Sequence, residues 1–138
     1  MTTTVLDASV AVSLIVDEPG SDAARRLIAE ATLLHAPELL LLEIANAIVS
    51  RRRKKNLDDP PELLPTALQE FRSGHIILTR DAELVDAAAA LALRATQPIY
   101  DCLYLALAHR HAAQVATFDR RLMTVAAGFG IPVWRPEP

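Results

Sequence analysis

Asp7, Glu43, Asp101 and Asp119 each interrupt or end an apolar stretch, where an acid is least at home. Asp7 closes Thr3-Thr4-Val5-Leu6, with Ser9 two residues on, and Asp119 repeats the arrangement after Gln114-Val115-Ala116-Thr117-Phe118. Glu43 splits Leu39-Leu40-Leu41-Leu42 from Ile44-Ala45. Asp101 is the one acid in Tyr100-Asp101-Cys102-Leu103-Tyr104-Leu105-Ala106-Leu107-Ala108. Each has an ordinary role open to it. Asp7, Ser9 and Asp119 are good helix N-caps, and Asp101 falls in a first turn, where the helix dipole favours negative charge. Glu43, Asn46 and Ser50 share a helix face and could form a solvated stripe at the domain edge. If the acids converge instead, mutual repulsion raises their pKa values unless a cation holds them together. An oxygen-only donor set suits Mg²⁺ or Mn²⁺ and, through them, phosphate chemistry. Zn²⁺ is less suited, because Cys102 is alone and His109 and His111 do not share a helix face. His35 and His75 are isolated and read as structural.

The segments that must position these acids alternate between strand and helix. The chain opens with a strand ending at Asp7, and Val10 to Val16 reads as a short helix closed by Asp17-Glu18-Pro19-Gly20. Ser21 or Asp22 can cap a helix through Ala31. Leu33 to Ala36 is a short buried strand ended by Pro37, and a long helix runs from Glu38 to Lys55, apolar enough near its start to be buried. A linker over residues 56–61 precedes a helix through Arg72, with Asp58 or Asp59 as its cap and proline in its first turn. Further strands are expected at His75 to Thr79 and Gln114 to Phe118, and an edge strand at Ile131 to Trp134. Helices are expected at Asp81 to Ala95, Tyr100 to His111 and Arg120 to Ala127. This order predicts an α/β fold with a central, mostly parallel sheet covered on both faces. Asp7 and Asp119 then share the carboxyl edge, where open α/β sheets bind ligands.

Composition sets the outer limits. The 138 residues suit a single domain, 1–138, with 135–138 as a frayed tail. They are 51% apolar and only 4% aromatic, so Ala, Leu, Val and Ile fill the core. The net charge of -3 argues against a globally basic nucleic-acid binder, but Arg51-Arg52-Arg53-Lys54-Lys55 forms a local basic run. That run could contact phosphates or an acidic partner, or simply end a solvated helix where the dipole favours cations. One cysteine, no secretory leader and no long apolar stretch lead to the expectation of a cytoplasmic protein with no membrane span.

Thr4-Val5-Leu6-Asp7-Ala8-Ser9, Ala36-Pro37-Glu38-Leu39 through Glu43-Ile44-Ala45-Asn46-Ala47, the Tyr100 to Ala108 segment and Thr117-Phe118-Asp119 together resemble the PIN-domain ribonucleases. The closest likeness is to the toxins of VapBC-type toxin–antitoxin pairs, and it runs in order over nearly the whole chain. The resemblance implies a three-layer α/β/α domain and a metal-dependent endoribonuclease acting on single-stranded or looped RNA such as tRNA or rRNA. It implies Asp7, Glu43, Asp101 and Asp119 as metal-site acids around one or two Mg²⁺ or Mn²⁺ ions. Ser9, Thr117 and, more weakly, Asn46 are the implied polar helpers. Hydrolysis by water would leave a 5′-phosphate product. A homodimer and a neutralising antitoxin follow from the same likeness, with Arg51, Arg52, Arg53 and Lys54 as candidate RNA or antitoxin contacts.

Other readings differ in what they require. A non-toxin RNA-processing nuclease needs the same acids. A binding module of this fold often loses one or more of them, and here all four are present. Phosphoryl-transfer domains of the haloacid-dehalogenase or receiver type also place Asp at a strand end beside Mg²⁺. The former needs a second acid where this chain has Ser9, and both usually need a lysine near a later strand.

Overall fold

Val5 and Leu6 are fully buried, as strand residues covered on both faces must be. The computed structural model describes residues 2–30, 33–54 and 58–136. The expected helix ends at Ala31 and Lys55, the start of the linker and the last two tail residues lie outside the described residues. Strands β1 (Thr3–Leu6), β2 (Leu33–Pro37), β3 (Ile77–Thr79) and β4 (Gln114–Ala116) form one parallel sheet in the order β3-β2-β1-β4. Among the described residues, seven helices connect or follow them: α1 (Ala8–Ser13), α2 (Ser21–Glu30), α3 (Leu39–Lys54), α4 (Leu63–Phe71), α5 (Asp81–Ala95), α6 (Ile99–His111) and α7 (Arg120–Gly128). This is the expected three-layer α/β/α arrangement.

The strand order fixes where a ligand can enter. From β1 the chain steps outward to β2 and β3, then returns to the other side of β1 as β4. That reversal opens a crevice beyond the carboxyl ends of β1 and β4. Asp7 follows β1 directly, and its N–H donates to the Ala116 carbonyl at 3.0 Å, so the β1–β4 ladder runs up to the crevice. Helix α6 lies against β1, β2 and β4, with α5 packed on it. Its residues Cys102 to Ala108 are all buried, which explains their lack of a polar face.

Four local expectations change. Asp58 and Asp59 do not cap α4, which begins at Leu63 after Glu62; Asp59 instead accepts from Arg51 Nε at 2.9 Å. Ser21 opens α2, but its hydroxyl turns back to accept from the Glu18 N–H and donate to the Ser13 carbonyl, while Asp22 pairs with Arg25. The expected edge strand shrinks to one parallel bridge between Val115 and Val133, since Pro132 has no N–H to offer. Helix α3 buries Leu40, Ile44 and Ile48 but leaves Leu42 68% exposed, so it is less enclosed than its leucines imply.

His35, expected to be structural, is buried on β2 and stacks on His111 with ring centroids 4.1 Å apart. Its Nδ1 is buried without a hydrogen-bond partner among the described residues. Burial, and then the charge of His111, push its pKa below the ordinary histidine value. The unfolded chain therefore takes up the proton first, and stability is lost as pH falls through about 6.5 toward the folded-state value. His35→Leu is expected to flatten the melting-temperature profile between pH 7 and 5. An unchanged slope would locate the acid sensitivity elsewhere.

Candidate active site

Asp7 is 9% exposed, and its carboxylate is held from one side. Oδ2 accepts from Ser9 Oγ at 2.7 Å, from Thr117 Oγ1 at 2.8 Å and from the Ser9 N–H at 3.3 Å. Oδ1 has no hydrogen-bond partner among the described residues. The two hydroxyls also tie in the segment after β4. The Phe118 N–H donates to Ser9 Oγ at 2.9 Å and the Asp119 N–H to Thr117 Oγ1 at 3.0 Å. Asp7 and Asp119 are both true N-caps, of α1 and α7. Capping and a place at the crevice therefore coexist.

Glu43, on α3, is half-buried rather than part of a solvated stripe, and the Tyr104 hydroxyl of α6 donates to its Oε1 at 2.6 Å. Burial raises its pKa, the Tyr104 bond opposes that, and the charges of Asp7, Asp101 and Asp81 raise it further. Asp101 is raised first by burial, opposed by Arg121, then raised by Asp119 and Asp7. Arg121 Nη2 lies 2.6 Å from Asp101 Oδ2. Burial and the Glu43 charge push the Tyr104 phenol upward, so it stays a donor at all ordinary pH. Each of the four acids is thus within electrostatic reach of another.

A cleft of about 840 Å³ opens beside them, with Ser9, Glu18, Glu43, Asn46 and Asp101 in its lining, while Asp7 and Asp119 lie outside that lining. Leu39, Leu42, Ala47 and Pro98 add apolar surface, and Tyr100 stands 61% exposed at its edge. The donor set fits a hard divalent cation: oxygens only, one unshared on Asp7, and two acids whose repulsion a cation would relieve. Among the described residues, no three His, Cys, Asp or Glu side chains are grouped closely enough as they stand to hold a metal ion together.

The basic run divides. Arg51 and Arg52 are engaged by Asp59, through its carboxylate and its carbonyl respectively, while Arg53 and Lys54 are exposed. Tyr104, Arg121 and Asp81 escaped the sequence reading. Asp81 accepts from the Leu39 N–H at 3.0 Å, fixing the start of α3 from another element. No local pattern marks any of these long-range pairs.

Gly20 sets the position of Phe118. A Cβ there would lie 2.6 Å from the ring's Cε2 and Cζ, and the ring is backed by Trp134. Gly20→Ala must displace Phe118, which stands between Thr117 and Asp119. A stability loss of about 2 kcal/mol is expected in thermal melts. A wild-type melt would mean that the ring yields freely.

The PIN domain family model matches residues 4–128. This chain belongs to the PIN domain family. It is 32% identical over 120 residues to Ribonuclease VapC3 of Pyrobaculum aerophilum, covering 86% of this chain and 90% of that protein. Among solved structures, the PIN domain aligns with Mycobacterium tuberculosis VapC20, a sarcin-ricin loop cleaving toxin, with a TM-score of 0.75 and 16% identity, over 96% of this chain and 99% of that one. It aligns with PAE2754 of Pyrobaculum aerophilum with a TM-score of 0.69 and 21% identity, over 90% and 84%. For FitAcB of Neisseria gonorrhoeae the TM-score is 0.59 at 18% identity, over 96% and 97%. These structural likenesses establish the shared fold.

Proposed function

We propose that this PIN domain is a Mg²⁺- or Mn²⁺-dependent endoribonuclease and the toxin of a VapBC-type pair, acting in the cytoplasm as a homodimer neutralised by its antitoxin. The observation that carries the reading is the electrostatic coupling of four acids from separate segments at the sheet's switch point. Such clustering raises pKa values at a cost in stability that structure alone does not require. The 32% identity to a VapC ribonuclease supports the same chemistry.

In this reading Asp7, Glu43, Asp101 and Asp119 hold the divalent ion. When bound, the ion neutralises phosphate charge and acidifies the attacking water. Ser9 and Thr117 fix the Asp7 carboxylate by donating to Oδ2, which leaves Oδ1 to the ion. Tyr104 fixes Glu43. The apolar wall and Tyr100 accept a nucleotide from a single-stranded or looped RNA. Asn46 lines the cleft as a polar contact, and Arg53 and Lys54 offer charge to the RNA backbone or an acidic partner.

The test is cleavage of a mixed tRNA and rRNA pool with Mn²⁺, Mg²⁺ or EDTA, comparing wild type with Asp101→Asn. Metal-dependent cutting that disappears in the variant, with 5′-phosphate ends, supports the proposal. Cutting that persists in the variant or in EDTA contradicts it. The pH profile gives a further check. Protonated Glu43 and Asp101 cannot hold the ion, and burial, partly opposed by Tyr104 and Arg121, shifts the pKa of each upward from the usual carboxylate range. Mn²⁺ affinity is therefore expected to keep rising with pH beyond that range. A plateau already at the ordinary carboxylate range would oppose this assignment.

A further inference from the structure

Among the described residues, the one ion pair that reaches into the acid cluster comes from the chain itself: Arg121 against Asp101 at 2.6 Å. Arg121 is the second residue of α7, and its backbone N–H donates to Asp119 Oδ1 at 2.9 Å, so its Cα is fixed at the lip of the site. Its side chain is far less constrained. It is 54% exposed, and among the described residues its only other side-chain hydrogen-bond partner is Gln97 Oε1, at 3.5 Å, the limit of hydrogen bonding. A guanidinium carries five donors in a planar fork that matches the paired oxygens of a phosphate. At most two donors are used here, one of them poorly. Asp101 is thus both the tether of Arg121 and, in the proposed nuclease, a ligand that a divalent ion must engage.

We infer that Arg121 is a phosphate-binding residue of the cleft, kept in reserve by Asp101 and released to an RNA phosphodiester once Asp101 engages a divalent cation. This rests on the metal-dependent nuclease reading. It places a cation next to the reacting phosphate without adding one to the sequence's basic run. It also gives the metal-free cluster an internal counter-charge, which limits the repulsion among the acids. A salt bridge that merely braces α7 against α6 would have neither function.

The two roles pull in opposite directions when Arg121 is removed, and that is the test. Mn²⁺ alone is titrated calorimetrically into RNA-free wild type, Arg121→Gln and Arg121→Lys. Binding of a labelled single-stranded oligoribonucleotide is then followed in Ca²⁺, with its integrity checked on a gel. Arg121→Gln is expected to bind Mn²⁺ about fivefold more tightly, having lost a competitor for Asp101. It is expected to bind the RNA about tenfold more weakly, with the log–log salt slope reduced by about 0.7. Arg121→Lys keeps the charge without the fork, so its Mn²⁺ affinity stays near wild type and its RNA affinity falls between the two. Unchanged or weaker Mn²⁺ binding by Arg121→Gln, or wild-type RNA binding, overturns the inference while leaving the nuclease reading intact. Failure of wild type to bind Mn²⁺ at all overturns that reading and the inference with it.

Discussion

Glu43→Gln is expected to make the metal-free protein more stable at neutral pH while reducing RNA cleavage about a thousandfold. The stability gain follows from the direction of the Glu43 pKa. Burial raises it, Tyr104 only partly offsets that, and Asp7, Asp101 and Asp81 raise it further. With the folded-state pKa above the unfolded one, the folded protein holds the extra proton between them, and stability falls as pH rises through that interval. Glutamine is neutral throughout and can still accept the Tyr104 hydroxyl, so the geometry survives without the penalty. In EDTA, the melting temperature of Glu43→Gln should exceed that of wild type by about 3 °C at pH 7, and the gap should close toward pH 4. The cleavage loss follows from the proposed function, in which Glu43 would be a charged ligand of an ion that stabilises the transition state by several kcal/mol. A variant that is both less stable and inactive would mean that Glu43 serves structure. Asp101→Asn is a less clean probe, because it also breaks the Arg121 pair.

That trade-off explains why the acids were legible in the sequence. A carboxylate inside an apolar segment breaks the pattern that a helix or strand core otherwise obeys. Asp7 and Asp119 were visible as strand ends and Asp101 as an intruder in α6. The parallel sheet was visible because β-branched and apolar runs alternate with helical periods. What escaped were couplings across sequence distance. Tyr104 lies 61 residues from Glu43, and its apolar neighbours disguise its hydroxyl as core. Arg121 reads as an ordinary first-turn residue of α7 until the fold brings Asp101 beside it. Asp59 carried the expected capping chemistry but was claimed by Arg51 instead. Local preference proposes a partner, and the tertiary contact with the better charge match prevails.

Thr117→Val is expected to cost the most stability of any single hydroxyl in the site, about 3 kcal/mol, or roughly 8 °C in melting temperature. Thr117 is fully buried at the end of β4, and valine matches its shape closely. What disappears is the buried donor to Asp7 Oδ2 and the acceptor for the part-buried Asp119 N–H. Ser9→Ala should cost less, because Ser9 is only half-buried and the Ser9 N–H remains on Oδ2. Thr117→Ser keeps the hydroxyl and loses one methyl, about 1 kcal/mol, and should retain cleavage. Thr117→Val should lose metal affinity by about 10–100-fold, the usual penalty for disturbing a group that orients a ligand. Equal melts for the valine and serine variants would show that the hydroxyl does not hold Asp7. The asymmetry of the network gives this prediction its weight. All three donors converge on Oδ2, so the buried charge is stabilised from the protein side without closing Oδ1. A network that satisfied both oxygens would stabilise the fold further and leave Asp7 less able to bind an ion.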